Sequence, residues 1–466
     1  MLKSVKNTIL DIIRQADLLL LALCTVTSLF GVVMIYSATR YQGGLKCVII
    51  QLCGLALGIV LYFVVSMVDL TEISKKWQWL LAFNLGFFLL LKTPLGVSAN
   101  GNLAWLGVRG IPIQVQPAEV VKLTFILLLA RQLVWMKGRG DMKSIPAVGL
   151  LAGNLLVTIG LYYVISSDMG SALVYVCIFA CMAFAAGVAL RWFALGIFGA
   201  GAGFYLLWEL DKIPPYMKER FQVLVDHSLY PLGAGWQQTR SLMAIGGGRL
   251  TGQGLLHGAQ TQSTSSVNLP FRHTDFIFAV IGEELGLIGA VFVVILFGLF
   301  IFAGMRICRN APDMLGCMLA GSFTVMIGFQ ACVNMACVTG IAPVTGKALP
   351  LISYGGSSLL ATMIMIGVIL SVSFRSKVGM SYERKRDNFR VIDGRDDARA
   401  GTPSTPPTQT RRGKVISLRD SARRSPEPPP SRPSRAVRQV DAGVPSTSRT
   451  GGYASLRSKR GPDRKR

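Results

Sequence analysis

Ten mostly apolar stretches follow one another along the chain, at approximately 18–36, 46–68, 77–93, 118–136, 146–166, 170–188, 191–209, 275–303, 314–338 and 350–374. Most show no polar face at helical spacing. Each approaches the roughly 20 residues an α-helix needs to cross a hydrocarbon core. Lipid offers backbone groups no partner, so these stretches are predicted to be helices. The pattern therefore predicts an all-α, polytopic membrane protein of about ten transmembrane helices. A tight turn around Ala189 to Arg191 joins the sixth and seventh stretches. No small-residue cleavage site follows the first stretch, so it is expected to be a retained helix.

Between the stretches, two segments stand out. One is 94–117. The other, 211–272, is about sixty residues long and is not low-complexity. Loops of that length in a compact protein are usually functional or disordered. After Phe374 the pattern ends. Runs such as TPSTPPTQTRR and SPEPPPSRPSR carry no periodic apolar residues and bury too little surface to offset ordering entropy. The expected organisation is an N-terminal segment 1–16, a membrane domain 17–375 and a disordered tail 376–466.

Composition agrees with the pattern: 51% of residues are hydrophobic and mean hydropathy is +0.48. The net charge of +24 suggests nucleic acid until it is located. Residues 375–466 hold 24 Lys/Arg against 9 Asp/Glu, so the tail carries +15 of the total. No folded module or aromatic interleaving accompanies that charge, which disfavours nucleic acid as a partner. Basic tails beside a membrane attract anionic lipid instead, and Ser and Thr within this one offer phosphorylation as a control. Short-loop charges also set orientation. Lys3, Lys6, Arg14, Lys75, Lys76, Lys137, Arg139, Lys143, Arg191, Arg306 and Arg309 fall on the side shared by both termini. The opposite short loops carry Arg40, Lys46, Arg109 and Lys347. Both termini are expected in the cytoplasm, and 211–272 becomes an extracytoplasmic loop. The nine cysteines fall mostly in apolar stretches and form no metal-binding pattern.

Three stretches could carry chemistry. The first, Gln116-Pro117-Ala118-Glu119-Val120-Val121-Lys122, opens a helix. Glu119 suits a first turn. Lys122 sits one turn deeper, where an ionisable residue in a membrane helix points to function unless it snorkels outward. The second runs from Gln237 to Glu284. It contains Ala244-Ile245-Gly246-Gly247-Gly248-Arg249-Leu250, Gly252, Gly254, then Arg272-His273-Thr274-Asp275-Phe276 and Gly282-Glu283-Glu284. Its glycines permit tight turns or close approach of backbone to a ligand. Asp275 is either a helix N-cap or a reactive carboxylate at the mouth of a helix. Glu283 and Glu284 call for an internal partner, such as an arginine, or a wet cavity. The third is Gly340 to Ser358, with Thr345-Gly346-Lys347 and Leu349-Pro350-Leu351-Ile352-Ser353-Tyr354-Gly355-Gly356-Ser357-Ser358. It reads as irregular backbone lining protein or water, or as a small-residue helix contact.

The order and spacing of QPAE…K, AIGGG…G.G, HTDFIFAVIGEELG and LPLISYGGSS resemble the SEDS family (shape, elongation, division and sporulation), which includes FtsW, RodA and SpoVE. The resemblance spans roughly 17–375. It implies a peptidoglycan glycosyltransferase that polymerises lipid II into glycan strands at the outer face of the cytoplasmic membrane, in cell division or elongation. It also implies a class B penicillin-binding protein as partner, alongside other divisome or elongasome proteins. The family's active-site aspartate falls at Asp275. Glu119, Lys122, Arg220, Arg240, Arg249, Arg272, His273, Ser353 and Ser357 are the implied substrate-binding set. The basic members would offset pyrophosphate charge, with or without a divalent cation such as Mg or Mn. No protein-bound metal ligand is implied. Two segments depart from the family. The first loop reads Asn100-Gly101-Asn102-Leu103-Ala104-Trp105, without the arginines many relatives carry, and Arg109 is the nearby substitute. Ser166-Ser167-Asp168 keeps the aspartate of a Gln-Pro-Asp pattern and loses the pair before it. Thr345-Gly346-Lys347 and the long tail lean toward the FtsW side.

Two other functions compete: a lipid II flippase, and a division or elongation scaffold whose tail is the working part. Ten helices with buried charge suit a transporter too. No inverted repeat with paired broken helices is visible, and the carboxylate lies near one surface instead of the midplane.

Overall fold

In a computed structural model, the structure describes residues 17–392 apart from 42, 100–101, 108–113, 141, 143, 227–229, 231–232 and 263–268. Arg109 and the basic residues of 1–16 and 393–466 lie outside the described residues. The described chain is helical, with one small sheet. Its helices are α1 (Leu18–Thr39), α2 (Gly44–Ser66), α3 (Leu70–Lys75), α4 (Trp77–Leu89), α5 (Pro117–Arg139), α6 (Ile145–Ser166), α7 (Met169–Ala186), α8 (Leu190–Glu209), α9 (Pro215–Val225), α10 (Ala234–Gly248), α11 (Ile277–Glu284), α12 (Gly286–Arg309), α13 (Met314–Val338) and α14 (Gly356–Ile392).

Eight of these are long and apolar enough to span a membrane: α1, α2, α6, α7, α8, α12, α13 and the first part of α14. The other two predicted spans are also helical. Trp77–Lys92 is apolar but shorter. It ends in a 3₁₀ turn at Leu90–Lys92. α5 is 23 residues long but carries Glu119, Lys122 and Arg131 in its body. Sequence caps explain several starts. Asp17, Asp69, Asp168 and Asp313 each accept a backbone N–H from the first turn of the helix they precede. Pro117 fits the first turn of α5, where no N–H is needed.

The core is the packing of α1, α2, α5, α7, α13 and α14, filled by residues such as Phe125, Tyr175, Phe323 and Ile366. α8 buries none of its residues fully; Trp192 and Phe193 pack against the core at one end and Phe204 meets Phe221 of α9, while most of its surface is exposed. Polar bonds tie the helix ends together. At one end Arg306 pairs with Asp17 at 2.5 Å and Arg375 with Asp69 at 2.8 Å. At the other, Ser37 bonds Glu284, Gln51 bonds Ser353 and Lys347 pairs with Asp168.

Three segments differ from the sequence expectation. Segment 94–117 folds into an antiparallel sheet of β1 (Gly96–Ala99), β2 (Asn102–Gly107) and β3 (Gln114–Val115), in that order. Within 211–272 lie α9 and α10. The apolar stretch 275–303 is two helices, because Gly286 takes φ +67° and the chain turns there. α14 continues to Ile392, so regular backbone passes the compositional boundary at 376.

Candidate functional site

Asp275 precedes α11, outside the spanning helices. It is no N-cap: Phe276 holds that place, and no side chain caps the helix. The Ala279 and Val280 amides of the first turn donate to the Phe276 carbonyl instead. The half-buried carboxylate instead faces a small cleft with Asn334, Cys337, Thr345, Gly346 and Lys347. Asn334 holds both walls. Its side-chain amide donates to the carbonyls of Asp275 at 2.8 Å and Lys347 at 2.7 Å. The positive φ of Gly346, +67°, brings the strand of chain before Lys347 past the aspartate, with Oδ2 3.7 Å from where a Cβ would sit.

The charged neighbourhood is built on helix starts. Asp168 caps α7 and accepts from Lys347 Nζ at 2.9 Å, Ser171 Oγ at 2.8 Å and Tyr162 Oη at 3.0 Å. Burial opposes the Asp168 charge, but Lys347 and Ser171 outweigh it and hold the carboxyl well below the usual range. Burial likewise opposes the Lys347 charge, and Asp168 outweighs it, so the ammonium stays protonated far above neutrality. Glu119 and Lys122 form a second buried pair at 2.7 Å. Lys122 is 1% exposed, so it does not snorkel. At Asp275 the balance runs the other way. Burial pushes its pKa up to about 6, despite the pull of Lys347 and Arg220.

The LPLISYGGSS segment supports this end from beneath. Ser353 Oγ donates to the Thr274 carbonyl at 2.7 Å and accepts from Leu349 N–H at 2.8 Å. Tyr354 N–H donates to the His273 carbonyl at 2.9 Å. Ser353 is thus spent on backbone next to Asp275, and its role is positioning. Ser357 is half-buried in the first turn of α14. His273 is half-buried with its ring 5.6 Å from Tyr354, and burial together with Arg272 lowers its pKa.

The expected arginines separate. Arg220, on α9, is half-buried beside Pro343 and Val344 and acts on Asp275 through its charge. Arg240 lies over Trp236 at 4.1 Å and donates to Gln260. Arg249 is exposed at the end of α10, and its carbonyl accepts from Leu287 N–H. Arg272 is buried, which lowers its pKa, with Glu283 countering. The glycine run leads into backbone that packs against the α11–α12 junction. Gln253 and Gly254 N–H donate to the carbonyls of Glu283 and Glu284, while the Arg249 and Leu250 carbonyls accept from Leu287 and Ile288. The run fills the α11–α12 break, satisfying helix-end groups that would otherwise be orphaned. Glu283 lies within charge reach of Arg272, and both glutamates also accept from neutral donors. Backbone N–H of Gln260 and Thr261 reach Glu283, and Ser37, Gln262 and Leu256 reach Glu284.

Sequence reasoning placed Asp275, Glu119 and Lys122 at one end, and the structure sets both Asp275 and Lys122 within charge reach of Lys347 and Asp168. It left Asp168, Lys347 and Asn334 out of the site. The helix-cap pattern marks Asp168, but 179 residues separate it from Lys347, and no local signal links them. Among the described residues, no three His, Cys, Asp or Glu side chains gather to hold a metal ion. The charged groups that act on Asp275 are Lys347, Arg220 and Asp168.

The family described as "Cell cycle protein", which groups FtsW, RodA and SpoVE, matches residues 16–378. The chain is 34% identical to stage V sporulation protein E of Bacillus subtilis over 376 residues, covering 78% of this chain and 98% of that one. It is 32% identical to the probable peptidoglycan glycosyltransferase FtsW of Geobacter sulfurreducens, covering 78% and 97%. Among solved structures it is similar to a chain of a peptidoglycan synthase complex that coordinates polymerization and crosslinking. That likeness has 29% identity and a TM-score of 0.66, covering 78% of this chain and 98% of the other. It is also similar to the rod shape determining protein RodA of Thermus thermophilus, with 27% identity and a TM-score of 0.55, covering 77% and 96%.

Proposed function

The chain belongs to the cell cycle protein family of FtsW, RodA and SpoVE, and from that premise we propose how it works as a peptidoglycan glycosyltransferase of the cell membrane. Its substrate is lipid II, and Asp275 is the base. The observation that carries this reading is the Asp275 carboxylate, set in a cleft with Asn334 and Lys347 within reach of the Arg220 charge, its pKa pushed up to about 6 by burial.

The 4-hydroxyl of the acceptor GlcNAc attacks the anomeric carbon of the growing strand. The new O4–C1 bond forms as the C1–O bond to pyrophosphate breaks, and undecaprenyl pyrophosphate leaves with the electron pair. Asp275 accepts the hydroxyl proton. A base whose pKa lies just below neutrality is mostly ionised, yet basic enough to take that proton. Arg220 and Lys347 supply positive potential where the leaving group's charge develops. Asp168 and Ser171 hold the Lys347 ammonium in place, so its field is fixed before substrate arrives.

In this reading the Asp275 end faces outward and both termini face the cytoplasm. The solved complex that this chain resembles couples polymerization to crosslinking, which supports a transpeptidase of the class B penicillin-binding type as its partner. Any Mg or Mn would arrive with the pyrophosphate. The test is polymerisation of lipid II supplied to the purified full chain with its partner. Asp275→Ala should remove glycan strands while protein yield is unchanged. Full activity in that variant would overturn the role of Asp275, and a wild-type chain that moves lipid II but never polymerises it would favour a flippase.

A further inference from the structure

At the end of the bundle away from Asp275, a groove of about 630 Å3 opens between α4, α5 and α6. Two glycines one helical turn apart, Gly149 and Gly153, make its floor. A Cβ at either would meet nothing within 4 Å, so the space is real and its backbone is not crowded. Leu81 and Val157 give it an apolar wall. Trp77 and Trp135 stand at its edge, both substantially exposed. Such rings settle at the level of lipid headgroups.

Its charge is of one sign. Arg131 and Lys75 line the groove, with no Asp or Glu among the described residues that do. Lys75 is exposed and bonded to Glu72 at 2.5 Å. Arg131 is half-buried and has no ion-pair, hydrogen-bond or ring partner among the described residues. It lies eight residues before Arg139, the last residue of α5. At a rise of 1.5 Å per residue that is about 12 Å below the helix end. An ionisable side chain at that depth calls for a partner or a polar path. Lys122 and Lys347 each have a carboxylate inside the protein. Arg131 instead opens onto a lipid-facing groove.

We propose that this groove binds one anionic phospholipid of the surrounding leaflet. Its phosphate rests on Arg131 and Lys75, and an acyl chain lies along Leu81 and Val157 over the two glycines. Basic pockets between membrane helices suit anionic headgroups, and the guanidinium offers a forked pair of donors to phosphate oxygens. The site is distinct from the Asp275 cleft, and its failure would leave the glycosyltransferase reading untouched.

The test uses the full chain in mild detergent and native mass spectrometry, titrating phosphatidylglycerol against phosphatidylcholine. The wild type should hold one phosphatidylglycerol in preference to phosphatidylcholine. Arg131→Gln should lower that preference roughly fivefold, the worth of one cation near a headgroup. Gly153→Phe should fill the groove and abolish the bound lipid, with Gly149→Leu as the second filling variant if the first melts early. Unchanged phosphatidylglycerol preference in Arg131→Gln, or full lipid occupancy in a folded groove-filling variant, would overturn the proposal. So would a photocrosslinker at residue 153 that captures a protein helix and no lipid.

Discussion

At Asp275, catalysis needs the unprotonated carboxylate, and burial sets its pKa at about 6. Polymerisation should therefore show an acid limb centred near pH 6, falling about tenfold per pH unit below it. An initial-rate series between about pH 5 and 8 measures this. The same shift has a stability consequence. The folded carboxyl holds its proton more tightly than the unfolded one, so the folded state loses stability as pH rises through the interval between the two pKa values. Asp275→Asn should consequently be inactive yet melt at higher temperature at neutral pH, gaining about 1–3 kcal/mol. Lys347 tests the field around this residue. Removing the cation in Lys347→Met should raise the Asp275 pKa and move the acid limb to higher pH. It also leaves Asp168 buried and alone, a loss of about 3–5 kcal/mol that Asp168→Asn in the same chain should partly restore. An acid limb that stays put in a folded Lys347 variant would show that the Lys347 charge does not reach Asp275.

One element, the α11–α12 break, decides where the Asp275 cleft sits. Its cause is local. Gly286 adopts a left-handed φ of +67°, and a Cβ there would run into the Gly252 amide and lie 2.6 Å from the Leu250 carbonyl. The glycine run after α10 passes through that gap and bonds both helix ends. Gly286→Ala should cost about 2–4 kcal/mol, combining backbone strain with the clash. Gly298→Ala, on the same helix with nothing within 4 Å, should be neutral or slightly stabilising. Thermal melts of the two variants in one detergent compare them. Equal melting temperatures would mean the break is not held by this glycine.

For the whole molecule, the two ends of the bundle differ in kind. One carries exposed cations and the Arg306–Asp17 and Arg375–Asp69 pairs, which close the first and last helices of the described residues against their neighbours. The other carries Asp275, the buried Lys347–Asp168 and Glu119–Lys122 pairs, and the α9–α10 region. The charge bias predicts that the first end is cytoplasmic. Fluorescent protein fused after residue 466 should light up in cells, while alkaline phosphatase fused there should stay inactive. The reverse pattern would invert the molecule and place Asp275 on the wrong side for a polymerase acting outside the cell.

The sequence alone determined the all-α membrane class, the approximate span positions, the matching motifs and Asp275 as a candidate. These are properties of apolar run length and of short local patterns, which lipid forces into helices whatever the neighbours do. It left AIGGG open between tight turns and approach to a ligand, and GEEL between an internal partner such as an arginine and a wet cavity. There the tertiary structure supplied protein partners: backbone from 249–254 fills the helix break, and Glu283 meets both the Arg272 charge and backbone amides. Only the folded chain could pair Lys347 with Asp168, or set Asn334 across Asp275 and Lys347. Such pairings depend on which helix ends meet, and helix packing is settled by surfaces that no local window of sequence contains.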